Sequence, residues 1–145
     1  MSICYNISPE LNMLIYICKG LITPAEFFNM TNTASLDTRR KHGMMTVIDI
    51  LSAEVDFELK DMHYVIDLTN DMAAKGLEPE SIVVLTQSKG MHLVGEAMES
   101  LPSKAKLKLN MLYSLDDVIT SFGLSEFRQE VIQFWEESKS LINST

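Results

Sequence analysis

Two short segments, Met44-Met45-Thr46-Val47-Ile48-Asp49-Ile50 and Ser81-Ile82-Val83-Val84-Leu85-Thr86, are apolar at nearly every position. A strand with one wet face would alternate. Continuous apolarity over about four to eight residues belongs instead to a strand covered on both sides, in the middle of a sheet between helical layers. Each run is followed by an amphipathic stripe. Leu59, Met62, Val65, Ile66, Met72 and Ala73 share one helical face, with Asp61, Asp67, Asn70 and Asp71 outside it and Gly76 as a stop. Met91, Val94, Ala97, Met98 and Leu101 form the next stripe, which closes at Pro102.

The flanking sequence extends the same grammar. Ile3–Ile7 and Leu11–Lys19 read as a hairpin around Ser8-Pro9-Glu10. Thr23-Pro24-Ala25-Glu26 places a side-chain oxygen at N-cap, proline at N1 and glutamate at N3, the clearest helix start in the chain. Phe27, Met30, Thr31 and Ala34 give that helix its inner face, and Gly43 is placed to end it. Leu51 to Phe57 reads as a loop. Leu107, Leu109, Met111 and Tyr113 alternate with Lys108, Asn110 and Leu112, which suits a sheet edge. A short helix opens at Ser114 and reaches Gly123, and a last amphipathic helix runs from about Ser125 to about Leu141. The expectation is one α/β domain spanning residues 1–145. Its sheet is mixed, mostly parallel and four- to five-stranded, with helices packed on it and an extra C-terminal amphipathic helix.

A formal charge of −8 repels phosphate backbones, so nucleic acid is not an expected partner. The one basic cluster, Arg39-Arg40-Lys41-His42, falls where the first helix is expected to end and complements the negative end of its dipole. The alternative is a patch for an anionic ligand or a lipid headgroup. The first residues lack a basic start and an unbroken apolar run, so neither a signal peptide nor a transmembrane segment is expected, and a cytoplasmic location follows. Cys4 and Cys18 then stay reduced and act as small buried apolar groups, even if a hairpin brings them face to face.

Catalytic patterns are missing. His42, His63 and His92 fall on three different expected helices without metal-ligand spacing, and His63 with Asp67 makes an ordinary surface pair. Gly20 is followed by Leu21, Ile22 and Thr23 rather than a dinucleotide-binding glycine pattern, and no nucleophile elbow or Walker loop occurs. No metal and no cofactor is expected. The most suggestive polar positions follow the central strands: Asp49, Ser52 and Asp56 after one, Gln87-Ser88-Lys89-Gly90 after the other. Ligands of open α/β sheets bind beyond such carboxyl ends. These seven residues are the candidate ligand site, their plainer roles being turn and capping residues. Asp49, Asp56 and Lys89 form the one titratable group to inspect for enzymatic chemistry.

Several local sequences resemble the STAS domains, the family of the anti-sigma-factor antagonists, in an uncharacterised bacterial branch of that fold. They are Gly20-Leu21-Ile22-Thr23-Pro24-Ala25-Glu26, the strand Val47-Ile48-Asp49-Ile50 with its loop to Phe57, and Leu112-Tyr113-Ser114-Leu115-Asp116-Asp117-Val118. The resemblance runs roughly from Leu11 to Gly123 and leaves the helix of about 125–142 as an addition. It implies a non-enzymatic signalling module that works by protein docking. It also implies a phosphorylated serine in an Asp-Ser-x-Gly turn, but the matching stretch Val55-Asp56-Phe57-Glu58-Leu59-Lys60-Asp61 has neither serine nor glycine. Phe127, Val131, Phe134 and Trp135 on the last helix are the candidate interface for a protein partner or a homodimer. The alternative function is a binder of a small apolar ligand or lipid with peripheral membrane association. It is suggested by ten methionines, with Met44, Met45 and Met91 near the expected pocket walls.

Overall fold

The structure is a computed structural model and describes residues 2–77, 81–99 and 109–143. Five strands, β1 (Ile3–Ser8), β2 (Met13–Ile22), β3 (Met45–Val55), β4 (Ile82–Leu85) and β5 (Leu109–Leu112), form one sheet in the order β1-β2-β3-β4-β5. β1 is antiparallel to β2, and the remaining pairs are parallel. The expected mixed, mostly parallel sheet is therefore present, with β5 at an edge.

The helices are α1 (Pro24–Ser35), α2 (Met62–Ala74), α3 (Lys89–Glu99), α4 (Leu115–Ser121) and α5 (Arg128–Asn143). Successive parallel strands that advance in one direction through right-handed crossovers put every crossover helix on the same face. That face carries α1, α2 and α3, and α5 covers the other, packed across β1 and β2. Side chains on β2 show the division. Met13, Ile15 and Ile17 join Val47, Val83, Val118, Phe134 and Ile142 beneath α5. Leu14 and Tyr16 join Ala34 and Met44 beneath α1, and Cys18 joins Ile22, Ile50 and Val84.

Local chemistry explains the boundaries. Thr23 Oγ1 accepts from the Glu26 amide at 3.2 Å with Pro24 behind it, as the sequence leads one to expect. α1 stops at Ser35 rather than near Gly43. Asp37 closes the following turn by accepting from the Arg39 amide and guanidinium and from the Tyr5 hydroxyl, and those partners hold its carboxyl well below the usual carboxylate range. The basic cluster thus lies in turns beyond the helix, and His42 is not helical. β2 begins at Met13, two residues later than expected, because Asn12 takes φ +52° and its side chain donates to the Gly43 carbonyl. β3 continues to Val55 through the segment expected as a loop, because β2 also extends to Ile22 and pairs with it beyond a bulge between Ile17 and Lys19. Gly20, just beyond it, takes φ +74°, a conformation that glycine adopts without strain. Leu101, Pro102, Leu107 and Lys108 lie outside the described residues.

α3 and β5 approach closely at Gly95, where a Cβ would collide with the Met111 side chain. Leu14, 0% exposed near the start of β2, anchors the α1 side. Leu14→Ala is expected to lower stability by about 2–5 kcal/mol in urea unfolding with an unchanged m-value.

Candidate functional site

The layer of α1, α2 and α3 does not seal against the sheet. Between them lies a cavity of about 210 Å³. Ile48, Ile50 and Val84 form its floor, Phe27 and Phe28 one wall, and Met91, Val94 and Gly95 the other. Tyr64, Leu68 and Met72, four residues apart on α2, line it with Thr69 as the roof. Val55, Phe57, Thr23 and Pro24, all half-buried, stand where the strands end. At the opposite, amino-terminal end of the parallel strands the lining residues Tyr16, Arg40, Thr46 and Ser81 are all buried. The cavity is thus apolar along its length, with buried polar residues at one end and half-buried residues at the carboxyl end.

The polar end is unusual in its hydrogen bonding. Thr46 is 6% exposed, and its Oγ1 has no hydrogen-bond partner, although its amide donates to the Ser81 carbonyl at 3.0 Å. Arg40 is 9% exposed and donates to the carbonyls of Lys41 at 3.3 Å and Leu77 at 3.0 Å. Burial lowers the pKa of its guanidinium from the ordinary value, and the Tyr16 phenol opposes that shift. Tyr16 is itself raised by burial. Where the sequence leads one to expect Arg40 to complement the end of the first helix, the structure places it in the interior.

The residues expected at the ligand site lie elsewhere, and none of the seven lines the cavity. Asp49 points to the other face, where Trp135 Nε1 donates to its Oδ2 at 2.6 Å and the Leu51 amide donates to Oδ1 at 2.9 Å. Ser52 and Asp56 are exposed, as are Gln87, Ser88, Lys89 and Gly90. Ser88 Oγ accepts from the Met91 amide at 3.2 Å, a cap on α3. The group proposed for enzymatic chemistry is divided, with Asp49 buried under α5 and Asp56 and Lys89 in solvent.

On α5, Val131 and Phe134 are buried and Trp135 is half-buried against the chain's own core, while Phe127, in the 3-10 turn that precedes the helix, is 49% exposed. Met91 lines the cavity, but Met44 is enclosed in the core and Met45 packs on the α5 side. Tyr64, Leu68 and Met72 were legible as an i, i+4, i+8 ridge, yet the expected stripe shared only Met72 with it. Among the described residues no group of three or more His, Cys, Asp or Glu is placed to hold a metal ion. Nor is any helix there long and apolar enough to cross a membrane.

Cys4 and Cys18 are one register step apart, each opposite an isoleucine, and so face opposite sides of the sheet as free thiols. Cys18 lines the cavity, and burial pushes its thiol from 9.0 up to about 12. A group whose pKa is raised on folding stabilises fully below its unfolded pKa and loses that contribution as pH rises. Stability is therefore expected to fall between pH 9.0 and about 12, and Cys18→Ala should flatten that fall in pH-dependent urea unfolding. Thr46→Val, which removes an unpartnered hydroxyl, is expected to stabilise the empty protein by about 1 kcal/mol in the same assay.

No family model matches the sequence, and no curated protein matches it. A solved structure does resemble the fold: an uncharacterised protein from the DUF3478 family, with a SpoIIAA-like fold, from Shewanella loihica PV-4. It aligns with a TM-score of 0.57 at 14% identity, over 82% of this chain and 92% of that one. At that identity the likeness concerns architecture. The fold of this chain is SpoIIAA-like, and hence of the STAS type that its strand and helix sequences resemble.

Proposed function

We propose that the chain is a non-enzymatic STAS-like module that holds a small apolar ligand between its sheet and the α1–α3 layer. The carrying observation is the cavity. A ligand that fills it takes the apolar lining out of contact with water, worth roughly 25 cal/mol per Å² of apolar surface covered, and so stabilises the folded state by mass action. The volume exceeds the roughly 150 Å³ that admits benzene in an engineered core, and is smaller than the roughly 300–1,000 Å³ of drug-sized pockets. A short chain or a single ring fits that interval.

Regulation through protein docking is compatible with the same module, with the bound ligand as its input. The aromatic face of α5 is less available for that purpose, since Phe134 and Trp135 are engaged by the sheet side of the core and Val131 by Leu115 and Ile119 of α4. The cavity itself supports a buried ligand more directly than a membrane-surface contact.

Native mass spectrometry of gently purified protein should show an adduct that solvent extraction removes. The extracted protein should regain thermal stability with an added short-chain apolar probe such as 1-octanol. Leu68→Trp, which fills the space from α2 without disturbing the sheet, should abolish both effects. Repeated absence of an adduct together with no response to the probe would rule out the proposal.

A further inference from the structure

Among the described residues, the cations Arg39, Lys60, Lys75, Arg128 and Lys139 each have a carboxylate partner, and Lys19, Lys41 and Lys89, which form no ion pair, stand in solvent. Arg40, the buried one, has none among the described residues and binds only the carbonyls of Lys41 and Leu77. Counter-charge is not scarce in a chain with 20 acidic and 12 basic residues. A buried cation is costly unless paired, and a guanidinium carries about five N–H donors, of which two are used here.

A second orphan lies at the same end of the cavity. Thr46 Oγ1 is buried with no partner, next to Ser81, whose carbonyl binds the Thr46 amide. Tyr16, close enough to Arg40 for the two to influence each other's ionisation, lines the same end. A group that accepted hydrogen bonds from Arg40 and Thr46 and carried one negative charge would satisfy both residues at once. A carboxylate does this, and its planar pair of oxygens suits a guanidinium. A phosphate monoester, at about −1.5 to −2 near neutral pH, would leave excess charge against a single cation.

We propose that the polar end of the cavity is a carboxylate subsite formed by Arg40 and Thr46, so that the ligand is a short apolar carboxylic acid with its hydrocarbon body directed toward Phe57. This deepens the ligand-binding reading above and rests on it. The net charge of −8 is no obstacle, because recognition of the head group is local and desolvated while the surface charge is screened by salt. The neutral alternative, a water at the polar end beneath a purely apolar ligand, predicts no preference for an acid.

The test is calorimetric titration of the solvent-extracted full chain with octanoate and with 1-octanol, which share a chain length and differ in the head. Octanoate should bind about ten-fold or more tightly than 1-octanol, the factor expected of one charge-assisted hydrogen bond. Arg40→Met should erase that difference and leave 1-octanol binding intact. Thr46→Val should weaken octanoate several-fold and spare 1-octanol, although the empty variant is the more thermostable. Equal affinity of wild type for the two probes overturns the carboxylate subsite and leaves the apolar cavity standing; binding of neither overturns both. If Arg40→Met fails to fold for want of its two carbonyl contacts, Thr46→Val decides, and an undiminished preference for octanoate in that variant overturns the subsite.

Discussion

The structure depends on β2 being buried on both faces. Six consecutive residues, Met13 to Cys18, are enclosed, so the strand cannot lie at an edge or border on water. Each face needs its own helical layer. Right-handed crossovers supply three helices to one side, and nothing in the parallel part of the chain can supply the other. α5 answers that need, with Val131, Phe134 and Ile142 buried and Ser138 bridging to Asn6 through its hydroxyl. The C-terminal helix is therefore the second layer of the core, not an appendage on a finished domain.

The two layers differ in how well they fill. Beneath α5 the contacts are dense and include the part-buried Trp135 to Asp49 hydrogen bond. On the opposite side α2 roofs the sheet at a distance, with the cavity between them. Tight packing on one face gives the sheet a rigid back, and incomplete packing on the other leaves room for exchange. That division of labour needs no catalytic group.

Much of the architecture could be read from the chain because the strongest signals were local. Thr23, Pro24 and Glu26 capped α1, Ser114 capped α4 through the Asp117 amide, and the runs around Val47 and Val83 became inner strands. The misplaced boundaries had non-local causes. α1 ended early because Asp37 found partners in Arg39 and in Tyr5 on another strand, and β3 ran on to Val55 because β2 was there to pair with it. The cavity was harder still. Its lining draws on α1, α2, α3 and four strands, and a void is a property of their spacing that no single stretch encodes. Arg40 resembled a surface charge because its neighbours Arg39, Lys41 and His42 are exposed. Asp49 resembled a loop residue because its partner lies 86 positions away.

The lone tryptophan has a further significance. Trp135 bonds to Asp49 on one side of β3, while Ile48 and Ile50, the residues flanking Asp49, face the cavity on the other. Only one strand's thickness separates the indole from whatever occupies that space. A shift of β3 on filling would alter the field of a carboxylate held 2.6 Å from Nε1. The single indole, excited apart from the four tyrosines, is therefore placed where such a shift would be read optically.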